Sequence, residues 1–177
     1  MLSIVTVPND ILNHPTKVIS HVDAKILKIA TEMKEKLAKM TDPKGVGLAA
    51  NQVGINLSLF VFRQGPKIRT LINPKIISRS NDLIYDKRGK NTMLEGCLSI
   101  PHYYGLVKRP SKIRLSFLDL ENVTHEEEFK SADSIIIQHE IDHLQGKLFI
   151  TRLLEQKGKL YKIDLNSKDK DLAEVEI

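Results

Sequence analysis

The sequence has no tryptophan, 5% aromatic residues and a single cysteine. One thiol cannot close an internal disulfide. The chain therefore suits a reducing compartment, and Cys97 is either a small buried apolar group or a reactive or metal-binding thiolate. No stretch approaches the roughly 20 apolar residues that cross a bilayer as a helix, so no membrane span is expected. The first twenty residues, MLSIVTVPNDILNHPTKVIS, lack a basic start, a continuous apolar segment and a small-residue cleavage site. They are also not the Arg- and Ser-rich, acid-poor kind that enters organelles.

A strong excess of either charge is also missing. Twenty-seven Lys and Arg stand against 22 Asp and Glu, a formal net charge of +5. That permits weak attraction to nucleic acid. However, the cations are spread among acids, and KIRT and DKRGK carry no interleaved aromatics, so dedicated DNA or RNA reading is not expected. With 177 residues, 41% of them hydrophobic, the chain can fill one core, and residues 1–177 read as one domain.

Apolar residues recur at three- and four-residue spacing in DAKILKIATEMKEKLAKM, which predicts a helix over 23–40 capped by Asp23. Residues 58–62, 69–77, 112–120 and 124–130 read as strands, the last two joined by a hairpin at DLENVT. SADSIIIQHEIDHLQG predicts a second helix, capped by Ser131 or Asp133 and stopped at Gly146, with Ile135, Ile136 and Ile137 marking it as buried. The expected class is α+β: a single compact domain with antiparallel or mixed β-sheets around that buried helix. The tail over 157–177 receives no firm assignment, although LAEVEI alternates like an edge strand. TRLLEQ, just before it, suits one or two helical turns.

The second helix carries His139, Glu140, Asp142 and His143. Histidines four residues apart project from one face a turn apart, which suits two ligands of one metal, and Ile135 to Ile137 argue against a surface helix whose histidines only titrate. Glu140 stands where a carboxylate can take a proton from an activated water and pass it to a leaving amine. The third ligand discriminates among HExxH proteins. A histidine in the extended peptidase pattern is excluded, because Phe149 occupies that position. Glu155, Glu174 or Glu176 would make a metallopeptidase, and a closed site would make a metal-stabilised binding protein. The thiolate choice is Cys97, in LEGCLSIP. Upstream, in GVGLAANQVG, Gly45 and Gly47 allow tight backbone turns and Gln52 offers an amide donor for an oxyanion. Without a terminal Lys and Ser or Thr, this segment is not a phosphate loop.

Together GVGLAANQ, EGCLS (95–99) and QHEIDHLQG resemble, in order and separation, the three motifs of the peptide deformylase family. The likeness runs from about Val7, through NPKI at 73–76 and VKRP at 107–110, to about Leu153. It implies Cys97, His139 and His143 as metal ligands, Glu140 as acid–base, and Gln52 with the backbone N–H of Leu98 as oxyanion donors. The implied reaction removes the N-formyl group from the initiator formyl-methionine of nascent chains and releases formate. The implied cofactor is one divalent ion, Fe2+ in the cell, with Zn2+, Ni2+ or Co2+ able to substitute. For the methionine side chain, Ile135 and Ile136 lie on the metal face of the helix, with Gly45, Val46, Gly47 and Met93 as further substrate-binding residues. Arg109 is expected to pair with Glu95 or Asp142 and orient the ligand segments. Tyr104 falls near the peptide entrance. The tail does not build the basic, ribosome-contacting helix of some bacterial relatives, so weak ribosome attraction is the most expected of it. The expected location is the bacterial cytoplasm, and an organellar enzyme without its transit segment would read the same.

Overall fold

Asp23 starts the first helix, α1 (Ala24–Lys39), by accepting from the Ile26 N–H at 2.9 Å, as the capping preference requires. The computed structural model describes residues 2–41, 44–84, 94–164 and 171–176. After α1 the chain forms β1 (Gly47–Ala49), β2 (Leu59–Gln64), β3 (Lys67–Arg79), β4 (Leu83–Ile84), β5 (Glu95–Cys97) and β6 (Ile100–Gly105). β7 (Arg109–Pro110), β8 (Lys112–Leu118), β9 (Thr124–Lys130), α2 (Ser131–Leu144), α3 (Phe149–Gln156), β10 (Leu160–Ile163) and β11 (Leu172–Val175) follow.

One sheet runs β1-β2-β3-β8-β9, a second β11-β10-β6-β5, and β4 pairs with β7. Every pairing among the described residues is antiparallel, so the mixed alternative is not realised there. The unbroken apolar run of β2 follows from helices covering both faces of its sheet. Phe60 and Phe62 point to one side, where Phe117, Phe129, Ile136, Ile137 and Ile141 complete a core under α2. Leu59 and Val61 point to the other and pack with Met33 and Leu37 of α1. α2 is thereby buried on nearly every side, unlike a surface helix with one apolar stripe. The fold is the expected α+β arrangement.

The start of α2 differs from expectation. Lys130 is the cap residue and makes no side-chain cap. Ser131 adopts φ +54° and donates its N–H to Ser111 O at 2.8 Å, because β9 turns directly into the helix. The Asp133 carboxylate instead accepts from Gln64 Nε2 at 2.9 Å. At the other end Gly146 has φ +70°, and a Cβ there would meet the Asn13 and His14 backbone at 2.7 Å, so this turn requires glycine. The hairpin between β8 and β9 is tied by Asp119, whose carboxylate accepts from the N–H groups of Glu121 and Val123. TRLLEQ lies within α3, and LAEVEI supplies the edge strand β11. The tail thus adds a hairpin beside β6, where Leu160 joins Ile100, Phe149 and Leu153 in a third cluster.

Candidate metal centre

α2 sets the His139 and His143 rings 5.0 Å apart, centroid to centroid. Cys97 closes β5 at a register shift after Gly96, and its Sγ lies 3.1 Å from His143 Nε2. One ligand atom from each of Cys97, His139 and His143 falls within 4.8 Å of the others. None of the alternative third ligands Glu155, Glu174 and Glu176 joins this group; Glu155 accepts from Arg152 at 2.9 Å and Glu174 from Lys159 at 2.9 Å.

Strand alternation puts Glu95 on the same side of β5 as Cys97. Glu95 Oε2 meets His139 Nδ1 at 3.0 Å, which leaves the opposite ring nitrogen for the ion. Arg109 holds Glu95 with Nε at 2.6 Å and Nη2 at 2.9 Å, and reaches Asp142 with Nη1 at 2.8 Å. It takes both expected partners, not one. Burial alone would push the Glu95 carboxyl up, but Arg109 and His139 hold it down at about 2. Burial likewise opposes a thiolate at Cys97, yet His143 and His139 keep its pKa well below the usual thiol range. His139 is raised well above its ordinary value against its own burial, because Cys97 and Glu95 face it. Two anions around two imidazoles form a cation-attracting donor set, and one sulfur with two ring nitrogens suits Fe2+, Co2+, Ni2+ or Zn2+.

Glu140 is 3% exposed, and its Oε2 has no hydrogen-bond partner among the described residues. Burial pushes this carboxyl up to about 7, against the pull of His139 and His143. Its carboxylate lies against Gly47 of β1, where a Cβ would come within 2.7 Å of Glu140 Cδ. Gln52, in the 3-10 turn Ala50–Val53, is fixed through Oε1, which accepts from the Ala49 N–H at 2.9 Å. That leaves Nε2 directed to Cys97 Sγ at 3.4 Å and Ser99 Oγ at 3.3 Å. Leu98 occupies the turn between β5 and β6.

Gly45, Val46 and Gly47 run alongside. Arg63 donates to Gly45 O at 2.8 Å and Leu37 O at 2.7 Å, tying this segment to the end of α1. Val46 packs with the cluster that holds Ile136, and Ile135 is buried. Met93 lies outside the described residues. Tyr104 covers Gly96, whose Cβ would meet the ring at 2.6 Å.

Arg63, Arg152 and Asn51 escape the sequence reading. Asn51 Nδ2 donates to His143 O at 2.6 Å, coupling the 3-10 turn to α2. Its place beside Gln52 in the glycine-rich motif was the available signal. Arg152 holds Asp142 side-on, with Nε at 3.0 Å and Nη2 at 2.5 Å, and nothing in the spacing of α3 announces it.

Two histidines and a cysteine around one ion position, with a buried carboxylate alongside, define a mononuclear metallohydrolase centre. Residues 1–159 match the family model of polypeptide deformylase. A peptide deformylase from Afipia carboxidovorans is 38% identical over 160 residues, covering 87% of each chain. The crystal structure of peptide deformylase from Thermotoga maritima superimposes with TM-score 0.76 at 30% identity, covering 86% of this chain and 97% of that one. A Met-Ala-Ser-bound peptide deformylase from Acinetobacter baumannii gives TM-score 0.74 at 29% identity, over 86% and 98%. The chain belongs to the polypeptide deformylase family, metal-dependent enzymes that remove N-formyl groups from nascent peptides.

Proposed function

We propose that Cys97, His139 and His143 hold iron(II), that Glu140 is the acid–base group, and that Gln52 Nε2 with the Leu98 N–H receives the oxyanion during hydrolysis of formyl-methionyl peptides. The observation that carries this reading is the buried Glu140 carboxylate, whose Oε2 has no hydrogen-bond partner among the described residues, beside the three-ligand group. The ion, when bound, supplies a Lewis acid that makes a water nucleophilic near neutral pH.

Glu140 takes a proton from the attacking water and delivers it to the methionine nitrogen as the C–N bond breaks, giving formate and a free amine. A carboxyl pushed up to about 7 by burial is suited to both transfers. Gln52 costs little reorganisation as a donor, because its Oε1 is already held by the Ala49 N–H. Gly47 leaves room for the formyl hydrogen. Gly45, Val46, Met93, Ile135 and Ile136 take the methionine side chain. The Met-Ala-Ser bound by the Acinetobacter relative supports a product that begins with methionine.

Residues 1–177 form one catalytic domain, with 157–177 as its tail. The enzyme works in the bacterial cytoplasm on nascent chains, with weak ribosome attraction through its +5 charge and no DNA or membrane partner. No helix among the described residues is long and apolar enough to cross a membrane.

The test strips the protein anaerobically, reloads it with iron(II), nickel or zinc, and follows formate release from formyl-Met-Ala-Ser before and after air. Iron enzyme is expected to be fast and air-sensitive, because oxygen attacks both the ion and Cys97. Nickel enzyme should be fast and stable, and zinc enzyme slow. A slow, air-stable iron form contradicts the ion assignment, and equal kcat/KM for acetyl-Met-Ala-Ser contradicts the formyl assignment.

A further inference from the structure

The chain of ion pairs behind His139 does not stop at Arg109. Glu95 and Arg109 neutralise one another, but Arg109 is also shared with Asp142, which is 4% exposed. Glu95, Arg109 and Asp142 alone would leave one uncompensated negative charge inside the fold. A buried carboxylate in that condition draws strongly on whatever cation it can reach, and here that cation is the guanidinium that orients Glu95.

Arg152 removes the conflict. It grips both oxygens of Asp142 side-on, the geometry in which a planar guanidinium binds a carboxylate best. It comes from α3, which Phe149 and Leu153 anchor in the third core cluster. It lines a cleft of about 240 Å3 together with Lys108, Arg109, Asp142 and Glu155, and its side chain is more exposed than the Asp142 carboxylate it holds. The ordered series Arg152, Asp142, Arg109, Glu95, His139 then joins the surface of α3 to a ligand ring through contacts of 2.5 to 3.0 Å.

We propose that Arg152 is a positioning residue for the metal centre: by neutralising Asp142 it frees Arg109 to clamp Glu95, which fixes the His139 ring. This rests on the metal-dependent reading above, although the readout chosen here does not require turnover.

The test uses the cobalt(II)-loaded protein. Ligand-field and thiolate-to-cobalt absorption reports the geometry, chelator competition reports Co2+ retention, and kcat and KM are measured on formyl-Met-Ala-Ser. Arg152→Met should weaken Co2+ retention by about 10- to 100-fold, the range found when groups supporting metal ligands are lost. It should also shift the cobalt spectrum and lower kcat while leaving KM near wild type. Arg152→Lys, which keeps the charge without the side-on grip, should fall between. Adding Asp142→Asn to Arg152→Met should recover part of the loss, because the buried charge that competes for Arg109 is gone; a merely structural arginine would not be rescued in this way.

Arg69→Met, which breaks a two-pronged pair with Glu127 on the large sheet, should leave cobalt retention unchanged. If Arg152→Met does not fold, Arg152→Lys and the double variant carry the same comparison. Wild-type cobalt retention and spectrum in the Arg152 variants, or a double variant worse than the single, would overturn the proposal. A wild-type enzyme that releases no formate while the cobalt results hold would overturn the hydrolytic reading alone.

Discussion

Gly47 and Glu140 occupy adjoining space so closely that a single methyl on Gly47 would displace the Glu140 carboxylate. The glycine-rich segment and the metal-binding helix are therefore shaped to one another. Gly47→Ala is expected to keep one ion per chain and lose roughly 100-fold in kcat, the scale of misplacing a catalytic group by about 1 Å. Metal analysis beside a formate assay checks this, and an unchanged kcat would mean that the carboxylate has no fixed position to lose.

Cys97→Ala should abolish ion retention and formate release together, since it leaves two imidazoles as the ligand set. Full metal content in that variant would instead point to a carboxylate as third ligand.

Removing the ion should expose how far the site holds the fold together. An ion that binds only the folded chain stabilises it by about 4 kcal/mol at a thousand times its Kd. The stripped protein should therefore melt lower, and its Tm should climb as Co2+ is added. A Tm independent of Co2+ concentration would show that α2 and β5 meet without metal.

Leu98→Ala and Gln52→Leu should separate backbone from side chain as oxyanion donors. Leu98→Ala keeps the N–H and should cost little. Gln52→Leu removes a fixed amide donor and should cost about 100- to 1000-fold in kcat. Equal effects from the two would argue that neither donates to the developing charge.

Periodicity made much of this fold legible. α1 shows helical spacing within a residue of its bounds, the isoleucine run and Gly146 delimit α2 to within two, and the LFVF of β2 is apolar on both faces because helices cover both. β5 and β6 were not legible as strands. EGC is too short to alternate, and IPHYYG carries proline and glycine, so their pairing follows from tertiary contact and not propensity. The grouping of Cys97, His139 and His143 could be expected because the motifs that carry them are dense. Arg152 could not. A charged residue in TRLLEQ reads as a solvated face, and its tie to Asp142 exists only after Gly146 turns the chain back.

Glu140→Gln separates holding the ion from moving the proton within one protein, because the side chain keeps its shape and loses its carboxylate. Ion content and formate release from formyl-Met-Ala-Ser, measured on one preparation, should show one ion per chain and a kcat lowered by about 10³-fold or more, the upper range of acid–base catalysis by a positioned side chain. A variant that carries its ion and turns over at the wild-type rate would contradict the assignment of Glu140, and with it the reading of this centre.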